Sequence, residues 1–480
     1  MFKTDKLTKN IDNHIKNFNN IIENFAYKYI LILCILVSCF ISIYYSGISL
    51  WADELFSVAK TSSSMSLVSV IKEASLSDSW PPLYYILLHY NQALFGSSEF
   101  ALRLISIISN ILCIPVLYLF VKELYSKKEA LLACILLSFS PFALSYSVEA
   151  RGYSLFLLLT VLSFYLLINF CKNKNNNFIL YSYLTIALLC TLTHYFGLMI
   201  IFFQLLFLFV NNKNILKQNY ITFIIFICVI LTYPLIHFDK LYFKSKIFEH
   251  NAIFSSDILN RDFFILKELI PNFILNLYPA AEKIILFSCF FYFIYRFKEK
   301  ENQIVLLFLL LPICFINLFA YEFMSFLQVR YFIFILPLIY IMIARTANKI
   351  LRKYYYIAVL FILIFLSFNI DKIKILKTSV HDRDNVIFLK ENLLKDGVCI
   401  FHSKLYYIDY YLKKYNINNN IVTFFNLSEK EKEIDNLLDK NKIIYILYPF
   451  GLDKNDADAL FHKFKIISVN NEIYKVEKQT

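Results

Sequence analysis

Long apolar runs recur through the first 370 residues of the chain, and they restrict its fold more than any other feature. A helix needs about 20 apolar residues to cross the hydrocarbon core of a bilayer. We count about eleven runs of roughly this length. They are 29–46, 101–121, 130–146, 153–171, 178–193, 196–210, 219–236, 284–296, 304–321, 325–344 and 355–370. The shorter apolar segment 82–95 is predicted to be an interfacial or buried helix.

The composition agrees with a membrane protein and excludes several other classes. Of the 480 residues, 59% are hydrophobic, and the mean hydropathy is +0.57, which a soluble domain does not reach. The net charge of +12 suits lysines that face anionic lipid. No basic and aromatic module accompanies it, so we expect no nucleic-acid partner. The ten cysteines form no CxxC pair, which argues against a zinc site and a disulfide framework.

Clusters of lysine and arginine in the short loops predict the orientation. They follow the second, fourth, sixth, eighth and tenth runs, at 122–128, 172–174, 213–217, 296–300 and 345–353. By the positive-inside rule this side is cytoplasmic, together with the lysine-rich segment 1–28. That segment is too long and too rich in asparagine for a cleavable signal peptide, so we interpret the first run as a retained anchor.

The unusual polar motifs then fall on the opposite, extracytoplasmic side. They are Asp53-Glu54, the turns at 147–153 and 193–197, the loop 237–280 and the region after residue 370. Such segregation has no structural purpose and is typical of an enzyme that works at the outer leaflet.

We predict three parts. Residues 1–28 form a cytoplasmic segment, and residues 29–370 a membrane domain whose first external loop, 47–100, is catalytic. Residues 371–480 form an extracytoplasmic domain. In it, runs typical of buried strands at 398–401, 421–425, 443–448 and 464–469 alternate with helical stretches at 384–395 and 429–440. The predicted fold is therefore a polytopic α-helical membrane protein with extracytoplasmic juxtamembrane helices and a small C-terminal α/β domain. This domain has no glycine-rich phosphate loop, so we assign it no nucleotide.

The adjacent carboxylates Asp53 and Glu54 follow the first apolar run closely. Carboxylates at a membrane exit are costly to desolvate, and a simple anchor does not need them. A carboxyl group beside an apolar wall has a raised pKa and can accept a proton from a hydroxyl group. The alternative is a solvated acidic turn that caps the next helix, and the pair alone does not decide between the two.

Four further stretches place polar groups next to apolar runs. They are Asp78-Ser79-Trp80-Pro81-Pro82-Leu83-Tyr84-Tyr85, Glu149-Ala150-Arg151-Gly152-Tyr153, Thr193-His194-Tyr195-Phe196-Gly197 and Gln328-Val329-Arg330-Tyr331. A charge at membrane depth, such as that of Arg330, needs a partner or an anionic ligand. Ion pairs within the bundle stay open as an alternative, for example between Glu149 and Arg151. Asp78 could instead cap the helix that the two prolines open.

Taken together, these motifs resemble the glycosyltransferase C superfold. The sequence is most similar to the bacterial family related to protein O-mannosyltransferases and to the lipid A aminoarabinose transferase. The likeness extends from residue 29 to residue 370, and the block 51–103, with Asp53-Glu54, Pro-Pro-Leu-Tyr-Tyr and Phe-Gly-Ser-Ser-Glu-Phe-Ala-Leu-Arg, is its most specific part.

The resemblance implies that a hexose or pentose moves, with inversion, from a polyprenyl-phosphate donor to an acceptor hydroxyl at the outer face of a bacterial plasma membrane. Asp53 is then the expected base, and Glu54 orients it or binds the sugar. Arg151 and Arg330 are expected to bind the phosphate. The other expected donor-binding residues are Asp78, Trp80, Tyr84, Tyr85, Tyr153, His194, Tyr195 and Tyr331. A glycan, a lipid or a protein remain alternatives for the acceptor.

One residue before the paired prolines departs from the pattern of the family. Relatives often carry a histidine before the paired prolines, where this chain has Trp80, which is no metal ligand. Asp78 and Asp53 offer oxygen ligands that suit magnesium or manganese, but two ligands are few. We expect no tightly held metal, and a weakly held divalent cation stays an alternative.

Two rival functions remain: a lipid-linked glycan transporter or flippase, and a polymerase or ligase of surface polysaccharide. Transporters usually show paired internal repeats, which this sequence lacks. The loop 237–280 has no recognisable polymerase motif. An oligosaccharyltransferase would be expected to carry Trp-Trp-Asp in its tail, and this tail contains no tryptophan.

Overall fold

A computed structural model describes most of the membrane part and much of the C-terminal part. The described residues are 25–74, 80–173, 176–211, 217–236, 279–323, 329–350, 382–392, 398–402, 409–417, 421–424, 431–440, 443–447, 464–470 and 473–478. The chain divides into two compact units. The first unit is Met1–Ser46 with Ser63–Leu376, and the second unit is Gly47–Ser62 with Lys377–Thr480. Residues 47–62, which we predicted as part of the membrane domain, therefore group with the C-terminal residues.

Helices account for the regular structure described up to residue 350. In chain order they are α1 (Phe25–Tyr45), α2 (Ala52–Ala59), α3 (Leu67–Glu73), α4 (Leu83–Phe95), α5 (Glu99–Leu124), α6 (Lys127–Ser138), α7 (Pro141–Ser147), α8 (Tyr153–Lys172), α9 (Asn177–Thr191), α10 (Tyr195–Asn211), α11 (Tyr220–Ile236), α12 (Pro279–Tyr295), α13 (Lys300–Phe323), a 3-10 helix (Val329–Ile335) and α14 (Leu336–Ile350). Of these, α2 belongs to the second unit.

Four described helices are long and apolar enough to cross a membrane: α1, α5, α8 and the continuous stretch Val329–Ile350. The pair α6 and α7, bent by 60°, makes a fifth if it is one broken span. The other predicted runs between residues 178 and 296 correspond to shorter apolar helices. The run 355–370 lies outside the described residues, so the count of eleven spans stays a prediction.

The bend between α6 and α7 has a local cause. Pro141 occupies the first position of α7, where its missing N–H is not needed. Ser140 caps the helix, because its Oγ accepts the N–H of Ala143 at 3.1 Å. A new helix therefore starts within the apolar run, and it leads into the turn that carries Arg151.

Buried polar side chains tie the helices of the first unit together. Arg103, fully buried in α5, donates from Nη1 to the carbonyl of Ser46 at 2.7 Å. Two turns further along α5, the side chain of Asn110 donates from Nδ2 to Ser38 Oγ at 3.0 Å. Lipid is as apolar as the helices themselves, so hydrogen bonds between helices help to drive their association. The arginine of the Phe-Ala-Leu-Arg motif thus joins α5 to the end of α1.

A second buried network lies where three predicted cytoplasmic ends meet. Arg345 donates from Nη1 to Glu129 Oε1 at 2.8 Å and from Nη2 to Glu299 Oε2 at 3.0 Å. The Glu129 side chain is almost completely buried, so this pair needs its close geometry. These ends of α6, α13 and α14 therefore lie together.

The second unit contains a five-stranded mixed sheet of order β2-β1-β3-β5-β4. Its strands are β1 (Val398–His402), β2 (Ile421–Phe424), β3 (Ile444–Leu447), β4 (Phe464–Asn470) and β5 (Ile473–Lys478), and its later helices are α15 (Asp382–Asn392), α16 (Asp409–Lys414) and α17 (Glu431–Asp439). The strands β2, β1 and β3 run parallel, and β5 is antiparallel to both of its neighbours.

The strand β5 and the helix α16 were missing from the sequence-based prediction. β5 carries charged residues that look like a polar terminus, yet Lys475 pairs with Glu477 at 3.0 Å along the strand. Its apolar residues Ile473 and Val476 are buried. Antiparallel pairing with β3 supplies the backbone partners that a terminal strand cannot supply for itself.

Gly197 is predicted to be indispensable for the packing of α10 against α9. A Cβ at this position would lie 2.5 Å from the carbonyl oxygen of Cys190, which is backbone and cannot rotate away. We expect Gly197→Ala to lower the free energy of unfolding by about 1–3 kcal/mol, measured as a lower melting temperature in detergent. Gly47→Ala is the control, because a Cβ there meets no atom within 4 Å. Equal melting of the two variants would contradict the prediction.

Candidate active site

Rings from four separate segments of the first unit form one aromatic cluster, which consists of Trp80, Tyr153, His194, Tyr195 and Tyr331. The centroid of Trp80 lies 4.8 Å from that of His194 and 5.4 Å from that of Tyr331. Tyr331 lies 5.4 Å from His194 and 6.3 Å from Tyr153. Tyr195 stacks 6.5 Å from Trp80. The structure therefore brings together residues that are up to 251 positions apart, from Trp80 to Tyr331.

Close backbone approach positions the segments that carry this cluster. The N–H of Leu83, at the start of α4, donates to the carbonyl of Leu192, after the end of α9, at 2.9 Å. At Gly152 a Cβ would lie 3.3 Å from the Cβ of Tyr84 and 3.5 Å from Cγ2 of Thr193. Glycine thus lets the turn before α8 approach both α4 and the turn after α9.

Arg151 is buried beside this cluster, with 7% of its surface exposed. Its Cζ lies 5.7 Å from the centroid of Trp80, and its Nη1 donates to the hydroxyl of Tyr85 at 3.4 Å. Its backbone is also fixed: its N–H donates to the carbonyl of Glu149 at 2.8 Å, and its carbonyl accepts from Ser106 Oγ at 3.1 Å. The guanidinium is therefore held in place by its own backbone as well as by its side-chain contacts.

Arg330 lies over the same cluster from the 3-10 helix. Its Cζ is 5.9 Å from the centroid of Tyr153 and 5.9 Å from that of Tyr331. An aromatic face favours a nearby cation. Arg151 and Arg330 thus contact different rings of the same cluster. Guanidinium groups suit an anion with several acceptor oxygens, such as a phosphate.

His194 is a neutral imidazole in this setting. It lies in the turn between α9 and α10, and burial, together with the charge of Arg151, lowers its pKa from 6.5 to about 3. Its Nδ1 accepts the N–H of Phe196 at 3.1 Å. The proton of the neutral ring is therefore on Nε2, which leaves Nε2 as a hydrogen-bond donor.

Three polar atoms of the cluster are buried without a hydrogen-bond partner in the described part of the chain. They are His194 Nε2, Tyr153 Oη and Tyr195 Oη. A buried polar group that makes no hydrogen bond costs about 1–3 kcal/mol. Such groups usually have an explanation, and a bound polar ligand beside the two arginines would give all three a partner.

Tyr84 and Tyr85, which we predicted as aromatic faces for the donor, are buried with 3% of their surface exposed. The hydroxyl of Tyr84 is 3.3 Å from Ser106 Oγ, and that Oγ bonds to the carbonyl of Arg151. Tyr85 bonds directly to the guanidinium. In this structure both tyrosines support Arg151.

The carboxylates Asp53 and Glu54 belong to the second unit, in the first turn of α2. Glu54 is fully buried, and its Oε2 accepts the N–H of Trp51 at 3.2 Å. Glu54 thus caps the helix from a buried position, whereas the alternative left open by the sequence was a solvated acidic turn. Asp53 is partly exposed. Its expected approach to the arginines stays a prediction, and Asp78 lies outside the described residues.

Comparison with known proteins gives the fold. Residues 79–238, a third of the chain, match the family model described as dolichyl-phosphate-mannose-protein mannosyltransferase. No curated protein sequence matches the chain. Among solved structures, ArnT from Cupriavidus metallidurans in the apo state is similar, with 11% identity, a TM-score of 0.52, and coverage of 94% of this chain and 98% of that one. The chain has the glycosyltransferase C fold.

Two other structures share the glycosyltransferase C fold. The same ArnT bound to undecaprenyl phosphate matches with 9% identity, a TM-score of 0.52, and coverage of 94% and 98%. The oligosaccharyltransferase AglB from Archaeoglobus fulgidus, in complex with an inhibitory peptide and a dolichol-phosphate, matches with 13% identity, a TM-score of 0.51, and coverage of 88% of this chain and 69% of AglB. The predicted resemblance is confirmed, and the apolar helices agree with a multi-pass membrane protein that has this fold.

Some residues of the site were missed from the sequence. The ring of Phe156 stacks on His194 at 4.7 Å, and the hydroxyl of Tyr233 donates to the carbonyl of Trp80 at 2.8 Å. Phe156 lies within a long apolar run of a chain with 50 phenylalanines, so no sequence signal marks it. Tyr233 therefore holds the backbone of Trp80.

The described residues of this glycosyltransferase C fold contain no group of three histidine, cysteine, aspartate or glutamate side chains that could hold a metal ion. Trp80, the residue before the paired prolines, packs against His194 and Tyr331.

We expect stability to fall on acidification because of His194. An unfolded histidine binds a proton near its ordinary pKa of 6.5, whereas folded His194 does so only near 3. Between these values the unfolded state binds more protons, so unfolding becomes easier by up to about 1.4 kcal/mol per pH unit from this residue. His194→Gln removes this contribution. Melting temperatures of the two proteins at about pH 7.5 and about pH 5 test it, because the wild type should lose more on acidification. A constant difference would refute the neutral buried imidazole.

Proposed function

We propose that this protein is an inverting glycosyltransferase that moves a sugar from a polyprenyl-phosphate donor to an acceptor hydroxyl at the extracytoplasmic face of a bacterial plasma membrane. One observation carries the proposal: Arg151 and Arg330 both contact the aromatic cluster. The same cluster contains three buried polar atoms that have no hydrogen-bond partner among the described residues. The glycosyltransferase C fold supports it. So do two structural neighbours, one bound to undecaprenyl phosphate and one to a dolichol-phosphate.

The donor phosphate binds between Arg151 and Arg330 in this proposal. Charge-assisted hydrogen bonds from guanidinium to phosphate are short and strong. As the bond between the sugar and the phosphate breaks, negative charge grows on the departing phosphate. The guanidinium groups then stabilise the transition state more than the bound donor, which is what raises the rate.

The neutral groups of the cluster orient the donor. His194 Nε2 donates to a phosphate or sugar oxygen, because its proton is on that atom. The hydroxyls of Tyr153 and Tyr195 can donate or accept, which suits sugar hydroxyls. Trp80 supplies a flat apolar face beside them.

Asp53 acts as the base that accepts the proton of the acceptor hydroxyl. Of the two carboxylates, Glu54 is buried and bonded to the N–H of Trp51, so its role is to hold the start of α2. By accepting that proton, Asp53 activates the acceptor oxygen, which attacks the anomeric carbon from the face opposite to the phosphate. Attack from that face inverts the anomeric configuration. The donor sugar is a hexose or a pentose, and the acceptor is a glycan, a lipid or a protein.

Asp53→Asn is the first test of this function. Because an amide accepts no proton, we expect transfer to fall by about 10²–10⁴-fold. The assay uses membranes with the full-length protein, a panel of polyprenyl-phosphate-linked sugars, and mass spectrometry of the glycosylated products. Asp439→Asn, on an exposed position of α17, is the control. Transfer by Asp53→Asn at the wild-type rate would remove Asp53 as the base. A flippase or transporter would form no glycosylated product at all.

Arg330→Gln is the second test. Loss of a charged hydrogen bond to phosphate should lower kcat/KM for the donor by about 10- to 100-fold, and Arg330→Lys should retain part of it. Steady-state kinetics against donor concentration separates kcat from KM. Lys300→Gln removes a positive charge from the first unit, at the start of α13, and serves as the control. If kcat and KM both stayed unchanged, Arg330 would be a structural residue.

A further inference from the structure

The start of the acidic helix α2 has an irregular lead-in. The entry segment, residues 47–50, contains turn and irregular backbone and no helix or strand, and it leads directly to Trp51, the residue before α2. Irregular backbone has no ladder of its own, so its N–H and carbonyl groups need partners from elsewhere in the chain. The orientation of α2 depends on where these partners are.

The partners come from the C-terminal part of the second unit. The N–H of Arg383, in the first turn of α15, donates to Ser49 Oγ at 3.1 Å, and its Nη1 donates to the carbonyl of Gly47 at 2.7 Å. The N–H of Leu50 donates to the hydroxyl of Tyr411, in α16, at 2.8 Å. The bonded residues are 334, 336 and 361 positions apart. Three bonds therefore hold three of the four residues of the entry segment.

The contact of Tyr411 with the entry segment is more deeply buried than that of Arg383. Tyr411 and Leu50 are both fully buried, and Ser49 is nearly so. Water cannot replace a hydroxyl removed from such a place, so the Leu50 N–H would lose its partner. Arg383 is partly exposed, and it bonds to the segment through two donors, its backbone N–H and its Nη1.

The helix itself is too short to hold its own direction. α2 has eight residues, and an isolated helix of that length is not stable in water. Asp53 is its second residue, so its position depends directly on the anchoring of the chain just before it. A base displaced by about 1 Å can cost a hundredfold in rate.

We propose that Arg383 and Tyr411 are positioning residues for Asp53: the C-terminal domain grips the entry segment and thereby sets the direction of the first turn of α2. This inference rests on the proposed function, in which Asp53 is the base. It gives the C-terminal domain a part in the reaction through the position of Asp53.

Kinetics of the full-length protein in membranes tests the positioning role. Tyr411→Phe and Arg383→Gln should lower kcat by about 10- to 100-fold and leave the donor KM within about twofold, because the phosphate-binding arginines are unchanged. Arg383→Lys should restore part of kcat, since an ammonium group can still donate to the carbonyl of Gly47.

Two matched controls separate positioning from general damage. Tyr445→Phe removes a hydroxyl from another buried ring of the same unit, in β3, and Lys390→Gln removes a positive charge from the same helix as Arg383. Both should transfer sugar at the wild-type rate. A loss in the controls equal to that in the variants would overturn the positioning role.

Hydrogen exchange of the purified full-length protein tests the grip without any substrate. Peptides that cover residues 47–62 should exchange faster in Tyr411→Phe than in the wild type and in Tyr445→Phe. Peptides from β1 and β3 should exchange as before, which shows that the domain is still folded. Unchanged exchange at 47–62 would overturn the grip.

The outcomes for the two proposals differ. A wild-type protein that forms no glycosylated product overturns the proposed function, and the positioning role with it. An active wild type whose Tyr411 and Arg383 variants keep their kcat overturns the positioning role alone. Faster exchange together with a lower kcat and an unchanged KM is the result that we expect.

Discussion

The burial of guanidinium groups among apolar helices is the constraint on which this structure depends. A charge inside an apolar bundle is costly unless rings, hydroxyls, carbonyls or carboxylates surround it. Arg103 meets a backbone carbonyl, Arg345 meets two carboxylates, and Arg151 meets a tyrosine hydroxyl and the face of a tryptophan. Each contact joins segments that are distant in the chain, so satisfying these charges also fixes how the helices pack.

The same chemistry serves stability at one place and a proposed reaction at another. Arg345 is neutralised by Glu129 and Glu299, which makes a closed ion-pair network between three helix ends. At the aromatic cluster, by contrast, His194 Nε2 and two tyrosine hydroxyls are buried without hydrogen bonds to described residues. Unsatisfied donors are a cost to the folded protein, and a ligand that bonds to them recovers it. These buried groups therefore support our proposal that the cluster binds a ligand.

Local pattern predicted the helices closely. The runs 101–121 and 153–171 correspond to α5 and α8, because the length and polarity of a membrane helix are set by its own residues. All five residues of the aromatic cluster were also named in advance, since polar and charged residues beside apolar runs stand out. The supporting roles of Tyr84 and Tyr85 were not foreseen, because a tyrosine that faces a ligand and one that holds an arginine look the same in sequence. Phe156 and β5 were missed for the related reason that their roles come only from their neighbours.

The sequence by itself determined that the chain is a bundle of apolar helices with its polar motifs at particular turns, because hydrophobicity, capping serines and helix-opening prolines act over a few residues. Only the tertiary structure decided that Arg151 and Arg330 contact the same aromatic cluster. It also decided that Glu54 caps its own helix and that residues 47–62 group with the C-terminal domain. These outcomes rest on hydrogen bonds and ring contacts between residues up to 361 positions apart. Contacts over such separations follow from how all the elements pack at once, and no local pattern encodes them.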